Sequence, residues 1–114
     1  RRGYSPYGPS KAAVEAASAI WAKDLEGTGV TVNILLPGGA SDTAFLPGSI
    51  DRKGADGNLL SPGIMRLPAL WLCSDESNLV NGKRIIAKNW DASLPFAAAA
   101  AAAMDTPTEK PSII

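Results

Sequence analysis

The chain has 114 residues, 46% of them hydrophobic, with 11 basic and 11 acidic residues and a formal net charge of zero. This describes one small domain and gives no electrostatic reason to expect nucleic acid or an anionic membrane as a partner. A single cysteine, Cys73, and the lack of histidine exclude an internal disulfide, a histidine-based triad and a Cys/His zinc site. Cys73 sits in an apolar run and reads as a small buried hydrophobe, and a reducing compartment, the cytoplasm, is the expected location. No strongly apolar stretch approaches the ~20 residues of a bilayer span, and no signal-peptide pattern opens the chain. It begins Arg-Arg-Gly without an initiator methionine, as a fragment or a processed product does.

The first helix is expected to begin between Ser5 and Ser10. Ser5-Pro6 supplies an N-cap and a first-position proline, and Pro9 still falls in the first turn, where a missing N–H costs little. Ala13, Val14, Ala17, Ile20, Trp21 and Leu25 recur at helical spacing as an apolar stripe, and Gly27 and Gly29 end the helix. The abundance of alanine along it permits close approach to a sheet or to another helix, so a second apolar face can meet another helix or subunit. Residues 30–36, Val-Thr-Val-Asn-Ile-Leu-Leu, read as a strand buried on both faces, with Pro37-Gly38-Gly39 as its stop. Asn33 within it reads as structural rather than catalytic.

Residues 40–60 show no sustained period and read as a long loop, of the kind that is either a functional lid or disordered. Ser61-Pro62 opens a second helix, with Pro68 marking a kink or a late start. Asn81-Gly82 is a turn, and residues 83–88 read as a second strand, far enough from the first to pair with it in parallel through a helical crossover. The alanine run 97–103 has helix propensity, and the tail from Thr106 onward reads as disordered.

The chemistry concentrates at Tyr7-Gly-Pro-Ser-Lys11. Four residues apart at a helix start, a phenol and an ammonium share one face. A neighbouring positive charge favours the phenolate, so such a tyrosine can titrate below its free value of ~10 and serve as a general acid/base toward an alcohol oxygen. The spacing alone also fits a surface tyrosine whose ring covers a lysine stem. Tyr4 has glycine four residues on and lacks an ammonium partner.

The order Tyr7-x-x-x-Lys11, a small-residue helix, a strand carrying Asn33, Pro37-Gly38 and then Thr43 resembles the short-chain dehydrogenase/reductase family. The stretch from Leu70 to Gly82 looks like the family's late helix, turn and last strand. The resemblance covers roughly residues 4–91. It implies an α/β fold: the C-terminal portion of a Rossmann-like doubly wound parallel sheet in helix-strand-helix-strand order, with the N-terminal βαβ half absent. Residues 1–91 would form that portion, and 92–114 an alanine-rich stretch and a disordered tail.

The resemblance further implies an NAD- or NADP-dependent oxidoreductase interconverting a secondary alcohol and a ketone by hydride transfer. Tyr7 would be the acid/base, and Lys11 would lower its pKa and bind the nicotinamide ribose. Pro37, Gly38, Ala40 and Thr43 would contact the carboxamide end of the cofactor, although Thr43 lies one residue later than the usual family spacing. Residues 42–60 would be the substrate lid. The apolar residues of this region, Leu46, Ile50, Leu59 and Leu60 with Met65 just beyond it, favour a hydrophobic or acyl-type substrate.

The glycine-rich phosphate turn that follows a first strand in this family has no counterpart here, nor does the serine that precedes the tyrosine. The chain thus resembles the C-terminal part of such an enzyme, inactive by itself. Lys88-Asn-Trp-Asp91 stands where a glycine pair often follows the last strand. The full-length form is expected to be a homo-oligomer acting on a small-molecule alcohol or carbonyl, with no nucleic-acid or membrane partner. The alternative is a non-catalytic binding or oligomerisation module.

Overall fold

The computed structural model describes residues 2–3, 5–46 and 58–105. Its elements are helix α1 (Tyr7–Asp24), strand β1 (Ile34–Leu36), a 3-10 turn (Pro62–Met65) running into helix α2 (Arg66–Leu72), strand β2 (Arg84–Ile86), helix α3 (Phe96–Ala103) and strand β3 (Met104–Asp105). The sheet has the order β1-β2-β3. β1 and β2 run parallel with Leu35 opposite Ile85, and β3 lies antiparallel on the other edge of β2. The parallel pair with its helical crossover is the expected arrangement. The third strand makes the sheet mixed rather than wholly parallel.

Helix α1 starts one residue later than the serine–proline signal implies: Pro6 rather than Ser5 is the N-cap, no side chain caps the turn, and Ser10 N–H donates to the Pro6 carbonyl at 3.1 Å. It ends three residues before Gly27, which takes φ +78° as a chain reversal requires. The expected apolar stripe does not face the core. Val14, Ile20 and Trp21 are more than half exposed, and Ala22 is the buried residue of the helix. Residues 15–19, Ala17 of the stripe among them, are half-buried, and Ala22 is buried. Small side chains there let the helix backbone come close to the turn before β2, where Asn81 Nδ2 donates to the Ala22 carbonyl at 2.8 Å. Bulky residues are left outside.

β1 is shorter than the sequence pattern and is half-buried, not buried on both faces. Its one strand neighbour among the described residues is β2. Side chains fix its register: Asn33 Nδ2 donates to the Val80 carbonyl, Asn33 Oδ1 accepts from Lys83 N–H, and Asn81 Oδ1 accepts from Val32 N–H. Asn33 is therefore structural in its contacts.

At the second helix, Ser61 Oγ caps the Gly63 N–H, and the α-helical part begins at Arg66. Pro68 thus sits in its first turn and marks a late start rather than a kink. Cys73 is exposed, not buried, because it is the C-cap where the chain leaves α2.

The core is Trp71, Ile85, Ala100 and Ala103, with Leu35, Leu72, Val80, Trp90 and Met104 packed against it. The alanines of α3 give that helix a flat face against the sheet. Trp90 links α2 to α3, with ring centroids 6.0 Å from Trp71 and 5.8 Å, edge-on, from Phe96. The indole N–H groups of Trp71 and Trp90 are buried without a partner, a cost of about 1–3 kcal/mol each set against their large apolar burial. Just beyond Trp90, the Asp91 carboxylate accepts from the Ser93 hydroxyl at 2.6 Å and the Ser93 N–H at 2.9 Å. These bonds hold its pKa below the ordinary aspartate value.

No helix among the described residues is long and apolar enough to cross a membrane. Residues 47–57 of the expected lid and the tail from residue 106 lie outside the described residues.

Candidate active site

Tyr7 is the first residue of α1, and Lys11 follows one turn later. The Lys11 ammonium lies 5.7 Å from the centroid of the Tyr7 ring, within cation–π range. The first turn is tightened by the Ser10 hydroxyl, which donates to the Tyr7 carbonyl at 2.7 Å. Tyr7 remains 48% exposed.

The second component is the segment after β1. Gly38 takes φ +87°, and a Cβ built there would lie 2.6 Å from Ile86 Cγ2 and 2.9 Å from the Lys88 stem. Glycine is therefore required by the backbone turn and by the side chains of Ile86, at the end of β2, and Lys88. The Pro37 carbonyl accepts from Lys88 N–H at 3.1 Å, and the Ala40 carbonyl accepts from Leu60 N–H at 2.8 Å. Leu60 N–H and carbonyl together staple residues 40 and 42, in a parallel bridge between Ser41 and Leu60.

Thr43 begins a short turn in which its carbonyl accepts from Leu46 N–H. The turn carries Phe45, whose ring centroid lies 5.4 Å from that of Tyr7 at an interplanar angle of 41°. Tyr7 and Lys11 are thus together, and Phe45 ties the loop of Thr43 to them. No hydrogen bond or ion pair among the described residues joins the Tyr7 or Lys11 side chains to Pro37, Gly38, Ala40 or Thr43.

Sequence reading passed over Phe45, whose one signal was an aromatic two residues beyond Thr43. It also passed over Leu60 as a staple, because a backbone bridge leaves no pattern in residue types.

A nicotinamide dinucleotide presents ribose hydroxyls and a carboxamide. The Lys11 ammonium and the exposed Thr43 hydroxyl make no hydrogen bond within the described chain and suit those groups chemically. The Pro37 and Ala40 carbonyls are already accepting, and one side of Gly38 is covered by Ile86 and Lys88. No group of three or more His, Cys, Asp or Glu that could hold a metal occurs among the described residues.

A helix that carries Tyr7 and, one turn later, Lys11, followed by a strand, a Pro-Gly turn and a parallel partner strand, fits part of a Rossmann-like α/β fold. The profile of the family described as enoyl-(acyl carrier protein) reductase matches residues 1–89. The chain belongs to the short-chain dehydrogenase/reductase family.

It is similar to a short chain dehydrogenase/reductase of Claviceps purpurea (strain 20.1), 37% identical over 95 residues, covering 76% of this chain and 29% of the relative. It is similar also to the NADPH-dependent aldehyde reductase 2, chloroplastic, of Arabidopsis thaliana, 33% identical over 91 residues, covering 74% of this chain and 34% of the relative. A third, the NADPH-dependent aldehyde reductase-like protein, chloroplastic, of the same plant, is 46% identical over 46 residues, covering 40% and 17%. The chain spans about a third or less of the length of these relatives. No solved structure matches it significantly.

Proposed function

We propose that these residues are the proton-handling part of an NAD- or NADP-dependent oxidoreductase that interconverts an alcohol and its carbonyl. The observation that carries the reading is the Lys11 ammonium held 5.7 Å from the ring of a half-exposed Tyr7 at the start of α1. Family membership and the reductase names of the relatives support it.

In reduction the Tyr7 hydroxyl gives its proton to the carbonyl oxygen, and in oxidation the phenolate oxygen takes one from the alcohol. Lys11 stabilises the negative charge that develops on that oxygen and hydrogen-bonds the nicotinamide ribose. The nicotinamide, when bound, supplies or accepts the hydride. Pro37, Gly38 and Ala40 shape the wall at its carboxamide end, and Thr43 donates to it. An apolar ring at Phe45 beside Tyr7 favours a substrate with hydrophobic substituents.

The 114 residues contain no glycine-rich phosphate turn, so by themselves they bind the dinucleotide weakly and turn over nothing. The whole protein acts in a reducing compartment such as the cytoplasm. It also associates with copies of itself, because α1 exposes Val14, Ile20 and Trp21 together. The same face would serve a non-catalytic binding or oligomerisation module, the second reading. Turnover of Tyr7→Phe in a version spanning the family's full length separates the two. An oxidoreductase loses activity, whereas a module, in which Tyr7 moves no proton, shows no dependence on it.

A further inference from the structure

Lys11 stands between two claimants for its charge. Tyr7 precedes it by four residues and Glu15 follows it by four, and on a helix both neighbours are within side-chain reach. An exposed cation–π contact and an exposed i,i+4 ion pair are of similar strength, so the contest is close. Whatever else occupies Glu15 decides it.

Glu15 is occupied from the sheet. Arg84 of β2 places Nε 3.1 Å from Glu15 Oε2 and Nη2 3.5 Å from Oε1. The Nε contact is an ion pair out of line for a hydrogen bond, since that buried nitrogen has no hydrogen-bond partner. The other edge of the guanidinium meets β3, with Nη1 3.1 Å from Asp105 Oδ2. One always-charged fork thus spans α1, β2 and β3. Lys11 makes no ion pair with Glu15 among the described residues and lies over the Tyr7 ring instead.

We propose that Arg84 is a positioning residue for the Tyr7/Lys11 pair: by holding Glu15 against the sheet it leaves the Lys11 ammonium to Tyr7, with Asp105 fixing the far edge of the guanidinium. The inference rests on the reading of Tyr7 and Lys11 given above and adds to it a group from the other end of the chain. The ion pairs are partly exposed and weigh little in stability. Their consequence is which partner Lys11 takes.

The test is NMR of the labelled 114-residue chain, reading the nuclear Overhauser contact between the Lys11 ε-protons and the Tyr7 ring and the ring-current shift of those protons. Arg84→Met frees Glu15, and the contact is expected to weaken roughly twofold, the size of an i,i+4 pair expressed as a population ratio. Arg84→Met with Glu15→Gln restores it, because the competing carboxylate is gone. A contact unchanged in Arg84→Met, or lost there and not recovered with Glu15→Gln, overturns the proposal.

If Arg84→Met fails to fold, two milder variants decide. Arg84→Gln, which removes the charged fork, must weaken the contact and Glu15→Gln alone must keep it, and the opposite result in either contradicts the account. No step of this readout involves turnover, so failure of the catalytic reading under Tyr7→Phe and failure of the rescue are separate results.

Discussion

The ring of Phe45 lies 5.4 Å from the ring of Tyr7, centroid to centroid, and joins the loop after β1 to the start of α1. Phe45 itself is 72% exposed, so the contact orders the loop more than it stabilises the fold. Phe45→Ala is expected to cost no more than about 1 kcal/mol in urea unfolding, the scale of an aromatic pair. It should also move the Tyr7 ring resonances as the neighbouring ring current disappears. Unchanged Tyr7 resonances would mean that the loop does not sit there.

Gly38 is held by both conformation and space. An alanine at φ +87° is strained by about 1–2 kcal/mol, and its methyl would meet Ile86 and Lys88, adding an overpacking cost of about 1–3 kcal/mol. Gly27→Ala, at φ +78° with nothing within 4 Å, carries the conformational part alone. Chemical denaturation should therefore rank Gly38→Ala below Gly27→Ala in stability, and the reverse order would contradict the packing.

The alanine helix α3 packs into the core through Ala100 and Ala103. Ala100 is 1% exposed, against Trp71 and Ile85, whereas Ala98 is exposed. Ala100→Leu should lose about 1–3 kcal/mol through overpacking, and Ala98→Leu should be near neutral. Equal tolerance at the two positions would show that α3 is not docked.

Much of this was legible beforehand. The Tyr7/Lys11 spacing, the serine–proline start of the turn before α2, and the parallel pairing of two strands across a helix all follow from local rules that the chain obeys. What was not legible is tertiary. Helical spacing identifies a stripe of Val14, Ile20 and Trp21 but cannot say whether it is covered, and here it is Ala22 that meets the turn before β2. Cys73 looked buried from its neighbours and is exposed because it caps α2. The antiparallel β3 is two residues long, too short for any period to show, and depends on pairing with Arg84 and Ile85.

Asp91 offers a pH-dependent check. Hydrogen bonds from the Ser93 side chain and then its backbone hold the carboxyl pKa below its usual value. The stability this contributes is present above the unfolded-state pKa and is lost as pH falls through the lowered folded value. Ser93→Ala removes the larger contribution, so carboxyl-carbon NMR titration should find Asp91 shifted up toward an ordinary aspartate. An unmoved titration would refute the hydroxyl bond.

The account turns on Tyr7 as the group that moves the proton. The direct measurement is kcat/KM for carbonyl reduction in a version spanning the family's full length, comparing Tyr7→Phe with Tyr4→Phe. Loss of a positioned acid/base is expected to lower Tyr7→Phe by roughly 10²–10⁴-fold, with Tyr4→Phe close to wild type. Full activity in Tyr7→Phe, or an equal loss in both variants, would contradict the assignment.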